Sequence, residues 1–116
     1  MKRGEVYWAN LAPRSGSEQT GRRPVIILSH NAFNQAQGWR SIIVVPVSTS
    51  STQARRGPTV VALPAGTAGL QSDSAAICHQ ITTLDRAKLD ERIGALASDI
   101  LVQVEEALLA AVAIDR

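Results

Sequence analysis

The fold of this chain is decided by a stretch that runs Gly16-Ser17-Glu18-Gln19-Thr20-Gly21-Arg22-Arg23-Pro24-Val25-Ile26-Ile27-Leu28. Its polar first part is bracketed by glycines, which permit backbone conformations closed to other residues. Pro24 then restrains the backbone where a β-branched apolar run begins. We therefore expect a loop of charged side chains hinged to a β-strand, a position where binding and catalytic groups concentrate. An ordinary solvated loop is the alternative.

Further β-strands are predicted on both sides of this stretch. Short apolar runs, rich in β-branched residues and bounded by turn signals, cover residues 6–11, 25–28, 42–47, 59–63 and 74–81. A short helix is expected over 31–37, capped by Asn31, and a helical turn near 85–89 precedes a short strand at 92–96. Short strands followed by one helix favour a compact antiparallel barrel.

The C-terminal segment is predicted to form an amphipathic helix of about four turns. Ser98 is expected to cap this helix, with Asp99 in its first turn. Apolar residues recur at three- and four-residue spacing at positions 100, 101, 104, 108 and 112. We expect this face to cover the core and not to enter a membrane.

Composition limits the classes to which the protein can belong. Its 116 residues suit one domain, 1–116, and 45% apolar with 19% charged residues is typical of a soluble globular chain. The lone Cys78 excludes a disulfide within the chain, and we interpret it as a core residue. No apolar run is long enough to span a bilayer. No signal-peptide core follows Met1, so we expect a cytoplasmic protein.

Charge is distributed unevenly along the chain. Residues 1–60 carry eight basic and two acidic side chains, whereas residues 61–116 carry four basic and eight acidic ones. Seven of the eight N-terminal bases are arginines, whose planar guanidinium suits bidentate contact with phosphate. A basic half indicates binding to nucleic acid or another polyanion. Charge that serves solubility alone is the alternative.

Several blocks of this sequence together resemble one known family. Beside the opening stretch they are Gly4-Glu5-Val6-Tyr7-Trp8, Ser29 with Phe33-Asn34, Val45-Pro46-Val47-Ser48-Thr49-Ser50, and Gln80-Ile81-Thr82-Thr83-Leu84-Asp85-Arg86. In this order they resemble the signatures of the MazF/PemK (Kid-like) toxins, the ribosome-independent mRNA interferases of type II toxin–antitoxin systems.

The resemblance implies an α+β fold: a small SH3-like antiparallel β-barrel with short helical insertions and a C-terminal amphipathic helix. It implies a homodimer with an RNA groove across its interface. It also implies a sequence-selective endoribonuclease that cleaves single-stranded mRNA by 2′-hydroxyl attack, with no metal and no other cofactor. The implied partner is a cognate antitoxin whose disordered acidic tail competes for the groove.

The catalytic candidates come from the matched motif positions. Arg23 matches the family's catalytic arginine, and we expect it to hold the scissile phosphate and stabilise the charge of the transition state. Glu18 matches the motif glutamate, and it either accepts a proton or orients Arg23. Ser48 and Thr49 lie where the family has a hydroxyl pair, which can donate hydrogen bonds to phosphate oxygens.

His79 marks a departure from the Kid-like pattern. That branch has Arg-Cys-Asp-Gln where this chain has Ile77-Cys78-His79-Gln80. One guanidinium is thus lost, and His79 replaces an aspartate to which the resemblance assigns a catalytic role. We interpret His79 either as a general acid or base or as a structural residue hydrogen-bonded inside the barrel.

Further residues are expected to contact RNA. Trp39 either stacks on an unpaired base or covers the core or a dimer contact, whereas Trp8 is expected in the core. The expected RNA-binding residues are Arg14, Gln19, Arg22, Trp39, Arg40, Arg55, Arg56 and Gln80.

Two other functions remain open on the sequence alone. The same barrel serves toxins that poison gyrase through a C-terminal Trp-Gly-Ile, whereas this sequence ends Ile114-Asp115-Arg116. An RNA-binding module with weakened catalysis is the second alternative, because the arginine expected at position 77 is missing.

Overall fold

A computed structural model of the protein describes residues 1–12, 16, 18, 20–49 and 57–115. The described residues form seven β-strands and two α-helices. The strands are β1 (Glu5–Asn10), β2 (Arg22–Ile27), β3 (Ser41–Ser48), β4 (Val60–Leu63), β5 (Ser74–Ile77), β6 (Thr82–Asp85) and β7 (Leu89–Ala95), and the helices are α1 (Asn31–Asn34) and α2 (Ser98–Ala111).

Five of the strands form the barrel-like part of the molecule. β1 pairs with both β2 and β7, β2 pairs with β3, and the first half of β3 pairs with β6, all in antiparallel fashion. A 3-10 turn at Arg86–Lys88 links β6 to β7. No pairing joins β6 to β7 within the described residues, so the sheet is not closed by hydrogen bonds. This arrangement confirms the expected α+β, SH3-like antiparallel fold.

The second half of β3 belongs to a smaller sheet. There Val47 pairs with Ala76 of β5, and β5 pairs with β4 along its length. Helix α2 packs on this side through Val104 and Ala107, which are buried. The end of β3 therefore lies where the two sheets meet.

The two faces of β2 enter two different cores. Val25 and Ile27 pack with Leu11, Ile42 and other buried residues on one face. Ile26 points to the opposite face, where the larger cluster beneath α2 includes Val45, Val47 and Val104. Because side chains alternate along a strand, burial on both faces requires a continuous apolar run. This explains why the run in β2 lacks polar alternation.

The predicted strand over residues 74–81 was wrong in part. β5 ends at Ile77, and a 3-10 turn at Cys78–Gln80 separates it from β6. The amide of Cys78 donates to the carbonyl of Thr59, and Ile81 donates back to Cys78, which ends the ladder and closes the turn. Cys78 itself is fully buried, as expected. Burial raises the pKa of its thiol to about 11.

The helix caps also differ from the prediction. His30 caps α1, because its Nδ1 accepts a hydrogen bond of 2.9 Å from the amide of Ala32, whereas Asn31 is the first helical residue. Helix α2 starts at Ser98 without a side-chain cap at Ala97. Val112 lies beyond the end of α2 and is half exposed, so it does not extend the core face. No helix in the described ranges has the length and apolar character needed to cross a membrane.

Candidate active site

A cleft of about 430 Å³ opens beside the C-terminal end of β3. Residues of β1, β2, β3 and β7 line it, together with residues 69–72 between β4 and β5 and Ser74 at the start of β5. Its volume lies in the range usual for ligand sites. Three arginines line it, Arg22, Arg23 and Arg92, together with Thr49 and Trp8.

Arg23 is half buried at the start of β2. Its Nε donates a hydrogen bond of 3.0 Å to the carbonyl oxygen of Thr20. This bond holds the side chain in place through one of the three guanidinium nitrogens. Within the described part of the chain, the two terminal nitrogens form no ion pair, so they can serve an anionic ligand in the cleft.

Arg22 lies over the indole ring of Trp8. The guanidinium carbon is 4.4 Å from the ring centroid, which is cation–π geometry. Arg22 Nη2 also lies 3.3 Å from Asp90 Oδ2 of β7. The expectation that Trp8 belongs to the core was wrong: its ring is half buried and forms part of the cleft wall. Its apolar character gave no signal of that role.

Arg92 of β7 is a site residue that the sequence did not indicate. Its Nε donates a 2.7 Å hydrogen bond to Oε2 of Glu5, whose side chain is only 15% exposed. Burial raises the pKa of Glu5, but hydrogen bonds from Arg92 and from the backbone of Lys2 outweigh that effect, so the pKa lies below its usual value. Glu5 is therefore ionised at neutral pH and holds a charged partner in place.

A second cleft has a volume of about 230 Å³. It is lined by Glu18, His79 and Gln80, and it also includes Pro46, the neighbour of Val47 in the first cleft. His79 is exposed, and its Nδ1 lies 2.8 Å from Oγ1 of Thr59. The alternative of a histidine buried inside the barrel was therefore wrong. Three sequence-predicted residues, Glu18, His79 and Gln80, thus share this cleft, and three others, Arg22, Arg23 and Thr49, share the larger one.

The two predicted hydroxyl residues have different environments. Thr49 is exposed and lines the larger cleft, so its hydroxyl can reach a ligand there. Ser48 is only 2% exposed and pairs with Ala75 of β5. A buried hydroxyl at this position is suited to supporting the end of β3, because it has little access to the cleft.

Trp39 and Arg40 lie just before the other end of β3, a strand that is about 23 Å long. The ring of Trp39 stacks on Phe33 at 4.5 Å, and Arg40 Nη2 lies 2.8 Å from Asp85 Oδ1. The Arg86 guanidinium donates to the carbonyls of Phe33 and Trp39, which fixes this stack. The structure does not bring Trp39 or Arg40 to either cleft.

Four predicted RNA-binding residues lie outside the described residues. They are Arg14, Gln19, Arg55 and Arg56. Of the remaining members of that set, Arg22 lines the larger cleft and Gln80 the smaller one.

Comparison with known proteins identifies the family. The family model for the PemK-like, MazF-like toxins of type II toxin–antitoxin systems matches residues 2–112 of this chain. The chain belongs to this family. The match spans every strand and helix described above, and it confirms the resemblance seen in the motifs.

Similar proteins cover nearly the whole chain. Endoribonuclease EndoA of Bacillus subtilis is 35% identical over 108 residues, which cover 93% of this chain and 90% of EndoA. The crystal structure of MazF from Deinococcus radiodurans has a TM-score of 0.79 at 28% identity, covering 98% of this chain and 97% of the other. A MazE–MazF structure from the same organism has a TM-score of 0.73 at 27% identity, with 99% and 97% covered. These relatives place the chain among the MazF-like endoribonuclease toxins.

Proposed function

We propose that this MazF-like toxin cleaves single-stranded RNA at a short sequence without a metal ion. The 2′-hydroxyl of one nucleotide loses its proton to a base and attacks the adjacent phosphorus, the P–O5′ bond breaks, and the departing oxygen takes up a proton from water, which gives a 2′,3′-cyclic phosphate and a 5′-hydroxyl. The observation that supports this proposal best is the convergence of three arginines on one cleft beside Thr49. Guanidinium groups can supply the positive charge that a phosphorane needs.

Arg23 is proposed to bind the scissile phosphate and to stabilise the dianionic phosphorane. An arginine stays protonated in proteins, so its role is electrostatic and not that of a proton donor. The hydroxyl of Thr49, exposed in the same cleft, is proposed to donate a hydrogen bond to a phosphate oxygen. Ser48 is proposed to support this strand end from its buried position.

Proton transfer is proposed to come from the smaller cleft. The Nδ1 atom of His79 is engaged with Thr59, which leaves Nε2 to accept the proton of the 2′-hydroxyl. Glu18 lines the same cleft and is the alternative acceptor. To contact both clefts, an RNA strand would have to pass around the end of β3, because Pro46 and Val47 point to opposite faces of that strand.

We further propose that the toxin acts in the cytoplasm as a homodimer and is held inactive by a cognate antitoxin. The MazE–MazF structure from Deinococcus radiodurans supports an antitoxin partner of this kind. A disordered acidic tail would compete with RNA because both are polyanions that match the arginine-lined cleft.

The test is incubation of the purified protein with a long single-stranded RNA in EDTA. Fragments that carry a 5′-hydroxyl and a 2′,3′-cyclic phosphate would support the proposal. Retention of RNA without fragments would indicate a binding module instead. DNA breaks that require gyrase would indicate a gyrase poison. The Arg23→Ala variant controls for a contaminating nuclease.

A further inference from the structure

Besides Arg22 and Arg23, the cleft contains a third guanidinium, that of Arg92, which lies in none of the matched motifs. The arginine expected at position 77 is replaced by Ile77, which is fully buried. Arg92 comes from a different strand, β7, and lines the same cleft as Arg23. Ile77 lines neither cleft, so Arg92 supplies a positive charge at a place that the motif position on β5 does not reach.

Arg92 is held by one nitrogen and presents the others. Its Nε donates to Glu5, and its side chain remains 50% exposed. Among the described residues, its terminal nitrogens have no further acidic partner. Arg22, in contrast, is engaged with both Trp8 and Asp90. Of these two arginines, Arg92 is the one whose terminal nitrogens remain available among the described residues. Two such coplanar nitrogens suit bidentate contact with a phosphate.

Glu5 is itself fixed in the strand pair. Besides the bond from Arg92, its carboxylate accepts a hydrogen bond from the backbone amide of Lys2. A carboxylate with a donor on each oxygen keeps one orientation, and the guanidinium that it binds is oriented with it. Glu5 is thus a positioning residue for Arg92.

The backbone next to Arg92 lies close to the backbone of residues 68–69. A Cβ atom on Gly94 would lie 2.2 Å from the carbonyl oxygen of Ala68, and one on Gly69 would lie 2.7 Å from that of Ile93. β7 and the segment that forms the cleft wall are therefore in direct backbone contact. This contact fixes the distance across the cleft, as preorganised electrostatic sites require.

We propose that Arg92, oriented by Glu5, binds an RNA backbone phosphate that flanks the scissile one. This inference rests on the proposed function, because it assigns a residue to the same cleft. A phosphate contact carries no base preference, so Arg92 contributes affinity for any sequence and also for the uncleaved strand.

The experiment measures binding to an RNA that cannot be cut. The probe is a fluorescent 2′-O-methyl oligonucleotide with a sequence that the wild-type toxin cleaves, and a scrambled version serves as a second probe. We expect Arg92→Ala to weaken binding of both probes about tenfold or more, the loss usual for one charged hydrogen-bonding partner. The slope of log K against log salt concentration should fall by about 0.7, the value for one single-stranded phosphate.

Three further variants separate a phosphate contact from other effects. Lys2→Ala removes an equal charge from an exposed position outside the cleft and should leave the slope unchanged. Arg92→Lys should keep the slope but lose part of the affinity, because the lysine ammonium cannot donate two parallel hydrogen bonds to one phosphate. Glu5→Gln should weaken binding in the wild-type protein but not in the Arg92→Ala background, since the positioning residue then has nothing to orient.

The inference is overturned if a folded Arg92→Ala variant, with wild-type circular dichroism, keeps the wild-type affinity and slope. If Arg92→Ala does not fold, an Arg92→Lys protein with unchanged affinity overturns it equally. A loss on one probe only would indicate base contact and would also contradict it. Failure of the proposed function looks different, because the wild-type toxin would then leave the unmodified RNA uncut.

Discussion

At the scale of single residues, Arg23 contributes the most to the proposed chemistry. Arg23→Ala should lower the cleavage rate by at least about 10²-fold, the effect of removing one preorganised charge donor from a transition state. Arg23→Lys should restore little, because a point charge does not replace two parallel N–H donors. The measurement is the single-turnover rate, with thermal melting as the control for folding. An alanine variant that keeps more than about a tenth of the wild-type rate would contradict the assignment.

His79 allows a separate prediction about proton transfer. A base must be neutral to accept the 2′-hydroxyl proton, so the rate should rise with pH as the imidazole loses its proton. His79→Ala should remove this dependence and lower the rate by about 10²–10⁴-fold. His79→Asp should keep partial activity and move the acidic limb of the profile to lower pH.

The control variant changes Thr59, whose hydroxyl lies near Nδ1 of His79. Thr59→Val removes that hydroxyl and leaves the residues that line the smaller cleft unchanged. If His79→Ala is folded, cleaves at the wild-type rate and keeps the same pH profile, the role passes to Glu18. The same series made at Glu18 would then decide whether that carboxylate accepts the proton.

Residue types alone could identify only part of this site. Arg23 and Thr49 were predicted because each lies inside a sequence block that matches a family motif. Arg92 and Trp8 were not, because their position in the cleft depends on the pairing of β7 and β2 with β1. Arg92 meets Glu5, 87 residues away in sequence, and no local pattern contains that contact.

At the scale of elements, the end of β3 is the part of the scaffold on which the proposed chemistry depends. Thr49→Ala should slow cleavage by up to about tenfold, the value of one neutral hydrogen bond. Ser48→Ala should also slow it, but this change should lower the melting temperature as well, because the side chain is buried. Rates at saturating RNA and thermal melts measured in parallel distinguish the two. Unchanged rates for both variants would restrict these hydroxyls to a structural role.

The strands were predicted where burial on both faces leaves a continuous apolar run, as in β2 and β3. The break between β5 and β6 was missed because residues 74–81 contain neither Gly nor Pro. That turn depends on a long-range hydrogen bond, from Cys78 to Thr59, and not on local turn chemistry. The short extent of α1 was missed for a related reason: Arg86, from a distant segment, binds the carbonyls of Phe33 and Asn34, the last two residues of this helix.

At the scale of the whole molecule, the distribution of charge predicts how an antitoxin is bound. If an acidic tail covers the arginines of the basic half, its affinity should fall steadily as the salt concentration rises. The measurement is the dissociation constant of the toxin–antitoxin complex over a series of salt concentrations. Substitutions that remove negative charge from the tail, such as Glu to Gln, should make the dissociation constant less dependent on salt. A dissociation constant that does not change with salt would indicate an apolar interface.

The nucleophile is the central element of the proposed reaction, and one atom of the substrate tests it. Two oligonucleotides are compared that differ only by a 2′-deoxy nucleotide immediately before the cleaved phosphate. We expect the wild-type toxin to bind both with similar affinity and to cut only the all-ribose strand at that bond, leaving a 2′,3′-cyclic phosphate. Cleavage of the 2′-deoxy strand at the same bond would contradict the proposed reaction, because the attacking group would then be something other than the neighbouring 2′-hydroxyl.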